Sequence, residues 1–327
     1  MDWTDPGFLE QAERWIRVHT QGVETITQSH VQPWSTVLKV STPQGNLWFK
    51  AVTEADRYSV PLTQLLAEVR PDLAPELVAA DPGRRWMLMT HGGVTLRELD
   101  STIEQVRRWE VFLPEYAELQ MEMTPRYARM ASLGVPPMPL AELSRRTADL
   151  LDSPRLLLLD EPDGLSISSR DQLRALLPDI ERMCLRLAGH GIRETVQHDD
   201  LNSGNVYFRD GRYRAYDWGD ACLSHPFHTL TVTLRSTAYH LDLEPGGAEL
   251  QRMRDAYLEP FTSYCPMDEL VAAARIAYRT GTLARALSWA RYYEVMGPQG
   301  RREAAESVAY GLQRFLEARP LGSWRWD

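Results

Sequence analysis

Between Val196 and Asp220 the chain reads VQHDDLNSGNVYFRDGRYRAYDWGD: five Asp, one His and two Asn set into a pattern of two short strands. Asp210-Gly211, between Asn205–Phe208 and Tyr213–Tyr216, is the dipeptide that a two-residue type I′ hairpin turn prefers. Pairing outward from that turn sets Arg209 opposite Arg212, Phe208 opposite Tyr213 and Asn205 opposite Tyr216, so Asn205 and Asp217 emerge side by side at the open end. Residues opposed across strands lie about 5 Å apart, close enough for an amide oxygen and a carboxylate to share one small cation. Two such ligands suit Mg²⁺, which keeps several waters and is completed by substrate phosphates. Asp200, five residues before Asn205, lies in the loop that feeds the hairpin, where a carboxylate can take a proton from an incoming hydroxyl. One group to orient a nucleophile and two to hold the metal are the parts that phosphoryl transfer from Mg·ATP requires.

These residues need a scaffold, and the pattern changes along the chain. Asp5 and Pro6 read as cap and first residue of a helix, with Phe8, Leu9, Ala12, Trp15 and Ile16 at helical spacing. Val23–Ile26, Ser35–Thr42 and Leu47–Val52 then read as strands, the last two joined by a turn at Pro43, Gln44 and Gly45. Ser59 is placed to cap a short helix reaching Glu68, and Arg85–Thr90 is a further strand before Gly92 and Gly93. From Ser101 the pattern is almost all helical, including a long helix through Val106, Trp109, Leu113, Tyr116 and Met123 that Pro114 would kink.

The composition fits such a chain. At 327 residues, with 43% hydrophobic and 25% charged residues, it can bury a sizeable core in two units or one two-lobed unit. A net charge of -9 argues against nucleic acid, whose phosphates call for a basic surface. Cys184, Cys222 and Cys265 are odd in number and widely spaced, which suggests neither a disulfide framework nor a zinc site. With no apolar run of membrane length and no leader pattern, the expectation is a cytoplasmic protein with no membrane partner; composition leaves oligomeric state open.

His198, Asp200, Leu201, Asn205 and Asp217, in order and spacing, resemble the motifs H-G-D-L-H-x-x-N and D-[FW]-[EG] of the aminoglycoside phosphotransferase and choline kinase family, relatives of the protein kinases. The resemblance implies an α+β, two-lobed protein-kinase-like fold, with a small antiparallel-sheet lobe over 1–93 and a larger, mostly helical lobe over 94–327. It implies Asp200 as catalytic base, Asn205 and Asp217 as magnesium ligands and His198 as the brace of the loop. Lys50, one of only two lysines in the chain, stands where the family grips the phosphates of ATP, and Thr90, His91 and Gly92 stand where a hinge would hydrogen-bond adenine. The implied activity is ATP- and Mg-dependent transfer of the γ-phosphate to a hydroxyl of a small molecule: an aminoglycoside, an amino alcohol or a sugar-like compound, a cationic one included. A nucleotide-binding pseudokinase without turnover is the alternative.

The pattern departs from the family in four places. Asp199 replaces a Gly, and Asn202 replaces the second His. Ser59 falls where a helix Glu should pair with Lys50, with Glu54 and Glu68 as the substitutes at hand. There is no G-x-G-x-x-G loop, and His30–Ser35 stands in its place. Asp242, Glu244 and Glu294 with Trp289, Tyr292 and Tyr293 are candidates for the acceptor pocket. LLLLDEP, Leu156–Pro162, has the look of a Walker B strand, but neither lysine follows a glycine, and a buried segment ending in a turn is the better reading. A helical metal dyad at His198-Asp199, completed by His225, His228 or His240, is disfavoured by the loop and strand signals around it.

Overall fold

The computed structural model describes residues 2–294 and 296–317. Helix α1 (Pro6–His19) begins where its cap dictates, Asp5 accepting the Phe8 N–H at 2.9 Å. It covers one face of an antiparallel sheet made of β1 (Thr25–Val31), β2 (Ser35–Thr42), β3 (Gly45–Val52), β4 (Leu77–Asp81) and β5 (Trp86–Thr90), in the order β1-β2-β3-β5-β4. Leu38, Val40, Phe49, Ala51, Trp86 and Leu88 pack with Trp15 and Ile16 of the helix. Strand alternation then sends Lys50, Val52, Met87 and Met89 to the opposite face. Helix α2 (Ser59–Val69) follows β3.

Two expectations are corrected in this lobe. The first strand covers Thr25–Val31 and not Val23–Ile26. It is an edge strand of mostly polar residues with a bulge between Gln28 and His30, so its pairing with β2, not an apolar pattern, defines it. His30 and Val31 thus belong to a strand, and the connection to β2 shrinks to a turn in which Gln32 and Ser35 exchange backbone hydrogen bonds. Ser59 does not cap α2: it is the first helical residue, buried, and the cap position is Tyr58 without a side-chain bond.

Beyond Gly93, β6 (Val94–Thr95) and α3 (Leu96–Leu99) lead to α4 (Glu104–Met123), which keeps Pro114 inside it. Short helices α5 (Tyr127–Ser132), α6 (Leu140–Leu151), α7 (Pro154–Leu157), α8 (Ile167–Ala175) and α9 (Leu177–Ala188) follow. Leu157 and Leu158 are buried at the end of α7, where the Walker-like segment breaks into a turn. After the hairpin region come α10 (Thr229–Leu241), α11 (Ala248–Leu258), the 27-residue α12 (Met267–Tyr293) and α13 (Pro298–Glu317). Val106, Trp109, Leu113, Tyr116 and Met123 of α4 all face the main core, as their spacing predicts.

Candidate active site

Four short strands hold the polar cluster. β7 (Thr195–Gln197) enters it, β8 (Val206–Arg209) and β9 (Arg212–Ala215) form the hairpin, and β10 (Cys222–Ser224) leaves it and pairs back on β7. The hairpin register is the expected one, Phe208 facing Tyr213 and Arg209 facing Arg212, with Asp210 and Gly211 at φ 53° and 77°. The Tyr216 N–H donates to the Asn205 carbonyl at 2.8 Å. The loop 198–205 and the loop 216–221 therefore run side by side, each tied at both ends by a strand pair.

His198 crosses between them. It is fully buried, its Nε2 bonds the Tyr216 carbonyl at 2.8 Å, and its Nδ1 accepts the Asp200 N–H at 3.3 Å. Burial keeps the ring below its usual pKa, so the neutral tautomer with the proton on Nε2 satisfies both contacts. Trp218, also buried, packs its ring 4.7 Å from that of His198. From α4, Tyr116 accepts the His198 N–H at 3.1 Å and Gln120 donates to the Val196 carbonyl at 2.9 Å; from α10, Thr233 donates to the Leu201 carbonyl at 2.7 Å. The loop is thus held by bonds to its backbone, which leaves its side chains for chemistry.

Asp200 has both carboxylate oxygens engaged. Oδ2 accepts from Asn205 Nδ2 at 2.9 Å and Asn202 Nδ2 at 3.1 Å, while Oδ1 accepts from Arg285 Nη2 at 3.2 Å. Burial raises its pKa above the usual carboxylate range; Arg285 opposes this, and Asp220, Asp217 and Asp199 add to it. Because Asn205 spends its amide N–H on Asp200, its Oδ1 is the atom available to a cation.

Lys50 arrives from β3 with its side chain almost wholly buried, and its Nζ lies 2.5 Å from Asp217 Oδ1. Asp217 is left-handed at φ 62°, a conformation Asp tolerates, and its carboxylate is half exposed. Desolvation pushes that carboxyl up, but the Lys50 ammonium, as a charge and as a donor, reverses the effect, and Asp217 titrates below the ordinary range. At the hinge, Thr90 and His91 have their carbonyls taken by Tyr216 and Arg209 and their N–H groups by Glu76 and Asn46. Gly92 has no internal hydrogen bond among the described residues. A Cβ on it would stand 2.7 Å from the Tyr216 ring, so only glycine fits that close passage.

The substitutes expected for the helix Glu are not there. Glu54 pairs with Arg57 and Arg85, and Glu68 with Arg129, each on the exposed side of its element. The buried acid at the lobe junction is Asp56, 2% exposed, bonded by the Tyr292 hydroxyl at 2.8 Å and 4.0 Å from Arg291. Burial pushes its carboxyl up to about 7, against the pull of Arg291. Spacing cannot show Arg285 and Arg291 either, since they come from α12, more than sixty residues after the loops they bind. Asp199 is the trace of Arg285 in the sequence, because an extra acid beside a presumed base calls for a cation.

The remaining candidates fall in several places. Trp289 and Tyr292 pack on Trp34 of the β1–β2 turn, ring centres 6.1 and 6.3 Å away. Asp242 does line a cavity of about 880 Å³ with Arg235, Tyr239, Tyr278, Thr282 and Tyr310, between α10, α12 and α13. His225 and His228 are buried packing residues, His228 bridging Ser224 and Thr280. Asp220 accepts from Arg285 and Tyr292. A separate group, His190, Cys265 and Glu269, brings ligand atoms within 4.8 Å of one another, with Glu269 about 24 Å along α12 from Arg285. No helix among the described residues is long and apolar enough to cross a membrane.

A five-stranded lobe over a helical lobe, with Lys50 opposite Asp217 at their junction, is the architecture of a protein-kinase-like phosphotransferase. The profile of the phosphotransferase enzyme family (APH) matches residues 27–270, and the chain belongs to that family. No curated protein matches it by sequence. Among solved structures it is similar to a Plasmodium vivax ethanolamine kinase, at 13% identity and TM-score 0.59 over 97% of this chain and 89% of that one. A macrolide 2'-phosphotransferase type I aligns at 14% and 0.59 over 94% and 99%, and the choline kinase LicA of Streptococcus pneumoniae at 16% and 0.55 over 93% and 99%.

Proposed function

We propose that the chain transfers the γ-phosphate of Mg·ATP to a hydroxyl of a small molecule. The observation that carries this is the meeting of Lys50 and Asp217, 167 residues apart, beside an Asp200 already bonded to Asn205. Mg·ATP, when bound, supplies the phosphoryl group and the cation that neutralises it. Lys50 would then exchange Asp217 for phosphate oxygens, and Asp217 with Asn205 Oδ1 would hold the metal. The cluster fits that load, because its acids outnumber its bases: Asp56, Asp199, Asp200, Asp217 and Asp220 against Lys50, Arg285 and Arg291. Gly92 offers the hinge backbone to adenine, over a shelf of Val52, Met87, Met89 and Tyr216, and the lobe boundary falls at 93/94.

Asp200 orients the acceptor hydroxyl and takes its proton as the oxygen bonds to phosphorus and the bond to ADP breaks. The acceptor approaches from the cavity between α10 and α12, whose lining residue Thr282 is one helical turn from Arg285. Tyr239 and Tyr278 with Asp242 suit an amino alcohol or a sugar-like compound, whose cation or ring face can lie on aromatic rings.

ADP release from Mg·ATP, with choline, ethanolamine and a macrolide as acceptors, tests the reading. Asp200→Asn should lower kcat by about a thousandfold while leaving ATP affinity nearly unchanged, whereas Asp217→Ala should weaken Mg·ATP binding as well. Equal behaviour of the two variants would remove these roles, and a wild type that binds Mg·ATP but never consumes it would be a nucleotide-binding module.

A further inference from the structure

We propose that Arg285 is a positioning residue for phosphoryl transfer, fixing the Asp200 carboxylate and joining the loop that carries it to the loop that carries Asp217. The proposal rests on the reading of Asp200 as the base. Arg285 Nη2 reaches Asp200 Oδ1 at 3.2 Å, and Nη1 lies 3.4 Å from Asp199 Oδ2 and 3.3 Å from Asp220 Oδ2. One planar guanidinium thus spans three carboxylates on two loops, which the point charge of a lysine would not reproduce. Asp220 stands three residues after Asp217, so the same fork sets the spacing between base and metal ligand. Without it, Asp200 is held through Oδ2 alone, by Asn205 and Asn202, and is free to turn about that side.

The surroundings are built for this role. Asp199, at the Gly position of the H-G-D-L motif, is 2% exposed and left-handed at φ 63°; a cation in contact stabilises a second buried acid beside the base, and Arg285 is that cation. Trp289, one turn along α12, places its ring 5.4 Å beneath the guanidinium. Gly281, one turn before it, lets α12 lie close to α10, since a Cβ there would come 2.1 Å from Thr231 Oγ1. Depth, lateral support and three anions leave the fork a single orientation.

Deleting Arg285 alone strands Asp199, so the informative comparison is Asp199→Asn against Asp199→Asn with Arg285→Ala; Asn accepts the left-handed backbone and carries no charge. With choline, ethanolamine and a macrolide as acceptors, the double variant should lose about 100-fold in kcat relative to Asp199→Asn, with KM for ATP within about threefold, and added guanidinium ion should restore part of the loss. Arg285→Lys should stay impaired. Crystals of the double variant should show the Asp200 carboxylate rotated about its Oδ2 side, with Oδ1 displaced from the position it holds against Arg285. Turnover equal to that of Asp199→Asn, or an Asp200 Oδ1 left in its wild-type position, would overturn the proposal. Should wild type release no ADP with any acceptor, the proposed function fails, and the Asp200 position in the crystals alone decides the role of Arg285.

Discussion

Asp56 sits under the junction of the lobes with its carboxyl pushed up to about 7 by burial, although Arg291 and the Tyr292 hydroxyl both favour its charge. An unfolded Asp titrates near 3.9, so between about pH 4 and about pH 7 the native state binds more protons than the unfolded one. The stability this group contributes is therefore full below its unfolded pKa and is lost as pH rises through about 7, an effect on the order of a few kcal/mol. Asp56→Asn keeps an acceptor for Tyr292 and removes the titration. Its melting temperature relative to wild type should climb between about pH 5 and about pH 8; parallel curves in calorimetry would mean that Arg291 holds Asp56 ionised throughout. Asp56 also marks the limit of reading residues from sequence. His198, Asp200, Asn205 and Asp217 are legible because one hairpin holds them within twenty residues, whereas Asp56, Arg285 and Arg291 meet only through packing between distant segments.

At the level of elements, the turn between β1 and β2 stands where the proposed function calls for a cover over the nucleotide phosphates. Trp34 packs edge-on to Trp289 at 6.1 Å and beside Tyr292 at 6.3 Å, so the turn is anchored to α12 across the cleft that Lys50 faces. Such pairs contribute about 0.5–1.5 kcal/mol each beyond area burial, which corresponds to a change of up to about tenfold in an equilibrium constant. Trp34→Ala should raise KM for ATP by about fivefold to tenfold, with a smaller effect on kcat. An unchanged KM would show that the turn does not cover the nucleotide. The hairpin was readable to the residue because Asp-Gly selects one turn type and fixes the register. β1 was not, because an edge strand is specified by its partner's backbone and its polar side chains carry no period.

Across the whole molecule, the two lobes are tied at several points. Lys50 meets Asp217, the Tyr58 hydroxyl donates to the Gly219 carbonyl, Tyr292 bonds Asp56, and Trp34 rests on α12. The fold class was legible because a strand-rich stretch preceding a helical one is a property of pattern. The contact surface between the lobes was not, since α12 supplies part of it from the last turns of a helix that reads only as an Ala-rich, Arg-bearing run. These ties predict that the lobes melt together, in a single calorimetric transition. A ligand that binds only the native state at about a hundred times its Kd adds about 2.7 kcal/mol, so Mg·ATP should raise the melting temperature by a few degrees. ATP with chelator should do less, because Asp217 and Asn205 then gain no partner. In Asp217→Ala the difference between Mg·ATP and ATP should vanish while the single transition persists. Two separate transitions in the wild type would instead mean that the contacts of α12 with Asp56 and Trp34 do not couple the lobes.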